Sequence, residues 1–299
     1  QAYATDVTTP ENRAKAMGMI GAAFGLGFII GPALGSYLAG DSFTDANLFL
    51  PAMLSATMSL LALLAIIFFL PESLSIENRQ RLRREKRLGQ ARAFVNVARE
   101  PMVFSIVVAC FIYNLAAGFV EVIFPLWSQG TGVAAGPKDL TALLLVAGFG
   151  MVIMQGGLIG PLTRRFGEER LVIAGSLIFA TALLLMTVAG SAISYYGVMA
   201  ALVGQGMGAA LVLTPLQSLV SQTSSETNRG MIMGVYSSVG TLGRGIGTAV
   251  TGLAFANIHM HSSYYIGAAC MVALLIQALI IKSRWAKHTA SPELTGTES

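Results

Sequence analysis

Glu121 and Arg244 are the side chains best placed to do chemistry, because each puts a charge inside a long apolar run, 102–127 for Glu121 and 230–256 for Arg244. A charge at mid-bilayer costs about 2.5 to 3.5 kcal/mol on insertion scales, so an intramembrane ionisable residue is a functional candidate by default. Glu121 lies about three-quarters along its run. It is a candidate for proton uptake and release; the alternative is an interfacial carboxylate paired with a hydroxyl or with the outer water layer. Arg244 is flanked by Gly243 and Gly245, which leave the guanidinium room and let a neighbouring helix approach. It is a candidate to bind an anionic substrate group or to partner a carboxylate, Glu121 among them; the alternative is an Arg bonded to backbone carbonyls. Asn114, Gln155, Gln205, Gln217, Thr241 and Thr248 are uncharged polar residues within apolar runs and candidates to line a polar cavity. Helix–helix hydrogen bonding explains any single one equally well. His259 and His261 lack a third ligand, so no metal site is expected.

The elements that must position these residues follow from composition. The chain has 299 residues, 54% hydrophobic and 11% charged, against about 25% charged in soluble domains. Mean hydropathy is +0.67. Apolar runs cover 17–39, 47–70, 102–127, 141–162, 171–190, 194–219, 230–256 and 263–282. Each is near or above the roughly 20 residues that a membrane-crossing helix needs. The runs are continuous rather than alternating, which selects helices over barrel strands. The fold class expected is an all-α integral membrane protein with eight transmembrane helices.

Every Lys and Arg except Lys138 and Arg244 falls in alternate loops or flanks: 13–15, 79–99, 164–170, Arg229 and 282–287. That asymmetry places those loops, and both ends of this chain, on the cytoplasmic side. The net charge of +4 is thus a topology signal and argues against nucleic-acid binding. Segment 71–100 is basic with interleaved apolar residues, the pattern of an amphipathic linker on the membrane surface. Cys110 and Cys270 lie in mid-run and are expected to be reduced. No phosphate-binding G-K-[ST] loop and no nucleophile–base cluster stand out, so neither a primary pump nor an enzyme is expected, and no cofactor.

Segment 12–36 repeats in 228–252 at an offset of 216 residues: Met17, Gly18, Leu26, Gly27, Ile30, Gly31 and Ala33 align with Met233, Gly234, Leu242, Gly243, Ile246, Gly247 and Ala249. The first copy carries Gly18, Gly27, Gly31, Pro32 and Gly35, a pattern that suits tight helix packing with a bend at Pro32. These residues resemble the fifth-helix antiporter motif of the major facilitator superfamily, in its twelve-span drug:proton antiporter branch. Ser36 stands where that motif usually closes with glycine. Gly160, Leu162, Arg165 and Gly167 match the superfamily's G-x-L-x-D-R-x-G-R-[RK] loop motif, with Arg164 in place of its Asp and Glu168 in place of the following Arg.

The resemblance implies a major facilitator fold of two parallel six-helix halves. In that order the runs become helices five to twelve, with four helices of the first half lying outside this sequence. Residues 1–70 would then be the remainder of the first half, 71–100 the linker, 101–284 the second six-helix bundle and 285–299 a cytoplasmic tail. It further implies a monomer in the cell membrane whose partners are a small-molecule substrate, protons and the lipid bilayer. The expected function is export of small amphipathic compounds by proton antiport with alternating access. The alternatives are a sugar or metabolite transporter of the same fold, or a truncated chain that does not transport.

Overall fold

The computed structural model describes residues 27, 30–42, 44–69, 97, 100–224 and 229–290. Every regular element among them is helical. In chain order these are α1 (30–39), α2 (Phe49–Phe69), α3 (Pro101–Glu121), α4 (Phe124–Gly130), α5 (Pro137–Ile153), a π-helical turn (Met154–Leu158), α6 (Ile159–Phe166), α7 (Glu168–Ser191), α8 (Tyr195–Gln222), α9 (Arg229–Asn257) and α10 (Ser262–Ala290). Among the described residues, six helices are long and apolar enough to cross a membrane: α2, α3, the continuous 137–166 segment, α7, α8 and α10. α9 is 29 residues long, but its glycines, hydroxyls and Arg244 make it less apolar, and it is not one of the six. Most of the 17–39 run, including Gly18, lies outside the described residues, as do the bulk of the 71–100 linker and the tail beyond Ala290.

Local chemistry sets the helix ends. Asn47 Oδ1 accepts from the backbone N–H groups of Phe49 and Leu50 at 3.1 and 3.2 Å, capping α2. α3 opens with Pro101 at a position where the missing N–H would have had no intrahelical partner. Two predicted spans differ in detail from the structure. The sequence predicts one helix over 102–127, whereas α3 ends at Glu121 and α4 begins at Phe124. Pro125 is the reason: its ring would clash with the carbonyl of Glu121, four residues back, and it has no N–H to donate there. The stretch 164–170 is expected as a loop, whereas helix runs to Phe166 and resumes at Glu168. The whole turn is Gly167, whose φ of +82° is a left-handed conformation that favours glycine. The π-helical turn has a similar cause. Pro161 cannot donate to Gly157, and Ile159 N–H reaches back five residues to the Met154 carbonyl.

The chain divides into two compact units, Gln1–Gly89 with Ala134–Gly148, and Gln90–Val133 with Phe149–Ser299. In the first, Thr141 Oγ1 lies 3.1 Å from the Pro32 carbonyl, to which it can donate, and Lys138 pairs with Asp41. α2 buries none of its side chains, so 21 largely apolar residues face outward. In the second, α7 packs against α8 and α10, and α3 against α9 and α10. Gly175 and Gly208 let the α7 and α8 backbones touch: a Cβ at Gly208 would lie 2.8 Å from Phe179 N and 3.0 Å from the Gly175 carbonyl oxygen. Glu168, at the start of α7, accepts from Ser218 Oγ at 3.0 Å and Gln222 Nε2 at 2.7 Å, tying the α7 start to the α8 end.

Candidate functional site

The site grows from a seam of glycines. On α9, Gly240, Gly243 and Gly247 share one helix face and lie directly on α3. A Cβ at Gly243 would sit 2.6 Å from the Phe111 carbonyl oxygen; one at Gly247 would overlap the Leu115 carbonyl. From the α3 side, a Cβ at Gly118 would overlap the Arg244 carbonyl. Such backbone contact lacks a hydrophobic driving force in lipid and depends on small residues, close van der Waals packing and interhelical hydrogen bonds. Thr251 supplies one such bond, from its Oγ1 to the Phe119 carbonyl at 2.6 Å.

This seam puts Arg244 beside the exit of α3. Its Nη1 donates to Glu121 Oε2 at 2.5 Å, and its Nη2 to Asn114 Oδ1 at 3.4 Å. Asn114 and Glu121 are two helical turns apart on one face of α3, about 10.5 Å along its axis. The guanidinium bridges that face. Asn114 Nδ2 donates in turn to the Cys110 carbonyl at 2.9 Å, which orients its oxygen toward the guanidinium. The Arg244 side chain is 42% exposed and that of Glu121 48%. A pair this open adds little to stability, in the range of roughly 0 to 1 kcal/mol. A carboxylate that gains a proton loses its charge and with it most of its hold on a guanidinium.

The structure therefore joins three of the predicted residues, Glu121, Arg244 and Asn114. The others stand apart. Thr248 is exposed on α9 near Gly118, and Thr241 is exposed with its hydroxyl donating to the Ser237 carbonyl at 2.9 Å. Gln155 is exposed in the π-helical turn and Gln217 is exposed on α8. Gln205 is half-buried, and its Oε1 is buried without a hydrogen-bond partner among the described residues. Gly27, Gly31 and Gly35 have open space on their Cβ side within the described residues. Of the loop-motif residues, Gly160, Leu162 and Arg165 are helical, with Arg165 over the Phe166 ring at 5.4 Å. Both cysteines are free thiols. Among the described residues no three His, Cys, Asp or Glu side chains cluster to hold a metal. Sequence reasoning missed Gly118, for which no pattern exists, and the contact role of Gly240, Gly243 and Gly247, whose spacing was legible.

The Major Facilitator Superfamily profile matches residues 1–160 and 156–299. With the helices above, this identifies the chain as a member of the major facilitator superfamily, a family of multi-pass membrane transporters. It is similar to multidrug resistance protein 2 of Bacillus subtilis (strain 168), 26% identical over 283 residues, covering 95% of this chain and 68% of that protein. It is likewise similar to the class D tetracycline resistance protein of Salmonella ordonez, 26% identical over 93% of this chain and 68% of the relative. Among solved structures, a human organic anion transporter superposes with a TM-score of 0.62 at 22% identity, covering 93% of this chain and 66% of that one, a likeness of fold. The chain thus spans about two thirds of the length of the relatives it matches.

Proposed function

We propose that this chain belongs to a secondary active transporter that exports small amphipathic compounds against protons by alternating access. The observation that carries the proposal is the Glu121–Arg244 ion pair, 2.5 Å long and set against the α3–α9 glycine seam. Ionised Glu121 satisfies Arg244. A proton on Glu121 removes that partner and leaves the guanidinium to another carboxylate, while a proton and a cationic substrate group compete for the one Glu121 carboxylate. Similarity to drug and tetracycline resistance proteins supports the substrate class. In this reading α3 is the seventh helix of the family order and α9 the eleventh, residues 1–70 belong to the first half, and 101–284 form the second. Lysines and arginines flank the helices on the cytoplasmic side of the cell membrane, and the protein works as a monomer.

The test uses the protein from its complete reading frame in proteoliposomes with an imposed pH gradient. Glu121→Gln is expected to abolish gradient-driven efflux of a cationic fluorescent dye while the protein still purifies as a monodisperse species. Undiminished gradient-driven efflux in that variant would remove Glu121 from the coupling step. Gradient-driven movement of sugars in place of dye would reassign the substrate class within the same fold.

A further inference from the structure

Beyond Glu121 the chain builds a second, separate polar device. α3 stops at Glu121, two residues turn, and α4 carries Trp127, whose side chain is fully buried. The Trp127 indole N–H donates to His261 Nδ1 at 2.8 Å. An Nδ1 that accepts fixes the tautomer: in the neutral ring the proton sits on Nε2. Nε2 lies 3.2 Å from Ser191 Oγ, which itself donates to the Thr187 carbonyl at 2.9 Å, so Nε2–H donates to that oxygen. Trp127, His261 and Ser191 thus form a directed chain from α4, through the α9–α10 loop, to the end of α7. Tyr264 of α10 closes on the indole at 4.8 Å between ring centres. Gly190 of α7 leaves the space that the Trp127 ring fills.

We propose that His261 is a proton-responsive positioning residue for the Glu121 site: neutral, it clamps Trp127 and with it the helix turn after Glu121; protonated, it releases them. The reason is directional. Protonation adds a hydrogen to Nδ1, which then points at the indole N–H, donor against donor, and the 2.8 Å bond is lost. Nε2–H keeps its acceptor in both states, so the change falls on Trp127. Titratable groups brought against the imidazole are His259, at 5.2 Å between ring centres in the same loop, and from α10 Tyr265 at 6.5 Å, with Tyr264 behind the indole. A charged His259 disfavours a second charge on His261. Burial and His259 together lower the proton affinity of His261 below the ordinary histidine value of 6.5. Since the folded value is the lower one, the clamp's contribution is complete above about pH 6.5 and fades as pH falls through the folded value. The clamp stands on its own geometry; its bearing on Glu121 rests on the transport reading.

The experiment follows the indole N–H resonances of the two tryptophans by NMR on the full chain in micelles, from about pH 8 to about pH 5, with Trp285→Phe to assign Trp127. The expected result is a downfield Trp127 N–H that moves upfield in one step with a midpoint below 6.5. His261→Asn offers an acceptor near the Nδ1 position that cannot be protonated there, so it is expected to keep the downfield signal and lose the step. The step is expected to persist in His259→Asn and in Glu121→Gln, which separates it from the proposed coupling carboxylate. A Trp127 signal that does not titrate in the unmodified chain, or a step that survives His261→Asn, would overturn the proposal. If His261→Asn does not fold, loss of the step in His259→Asn or Glu121→Gln would do the same.

Discussion

Arginine at position 244 is bonded through two different nitrogens, one to Glu121 and one to Asn114. Lysine carries one compact charge and cannot span the same two acceptors. Arg244→Lys is therefore expected to lower the initial rate of gradient-driven dye efflux about tenfold, the equivalent of one charge-assisted hydrogen bond of roughly 1.4 kcal/mol. Asn114→Ala, which removes the weaker contact, is expected to cost less than Arg244→Lys. Equal rates for Arg244→Lys and the unmodified protein would mean that the guanidinium fork is not used. At this scale the sequence showed that Glu121 and Arg244 carried unusual charges. It left Arg244 with several possible partners, since the two residues are 123 apart in the chain.

For helices, the glycine seam gives an internal control. Gly247 lies against the Leu115 carbonyl, whereas Gly245, two residues earlier on the same helix, faces open space. Gly247→Ala forces α3 and α9 apart and is expected to lower stability by about 1 to 3 kcal/mol, read as a drop in thermal midpoint in micelles. Gly245→Ala meets nothing and is expected to leave the midpoint unchanged or slightly raised, because alanine is the better helix former. A like response of the two variants would refute the seam. The same scale explains the misread end of α3. The apolar run continues smoothly past Glu121, and hydropathy does not register that Pro125 forbids the helix there. Likewise the stretch 164–170 read as a loop because it is basic, while the backbone needs only Gly167 to turn.

Across the whole molecule, the distribution of Lys and Arg predicts which ends of the helices share a side of the membrane. In a chain lacking Cys110 and Cys270, a cysteine placed at Lys138 is expected to react with a membrane-impermeant maleimide in intact cells. One placed at Arg170 is expected to react only after permeabilisation. Labelling of both in intact cells would overturn the topology. Lys138, the basic residue that breaks the loop pattern, is paired with Asp41, so its charge is locally balanced.

Composition and run length determined by themselves that the chain is helical and membrane-embedded, because the cost of exposing backbone and charge to lipid acts on every residue locally and needs no partner to be known. Motif spacing was enough to suggest the family. Tertiary structure alone decided that Arg244 meets Glu121, that Gly118 is a contact point and that Trp127 is clamped by His261. These depend on how helices distant in sequence are rotated and set against one another, and that is fixed by close packing between the helices, which hydropathy does not encode.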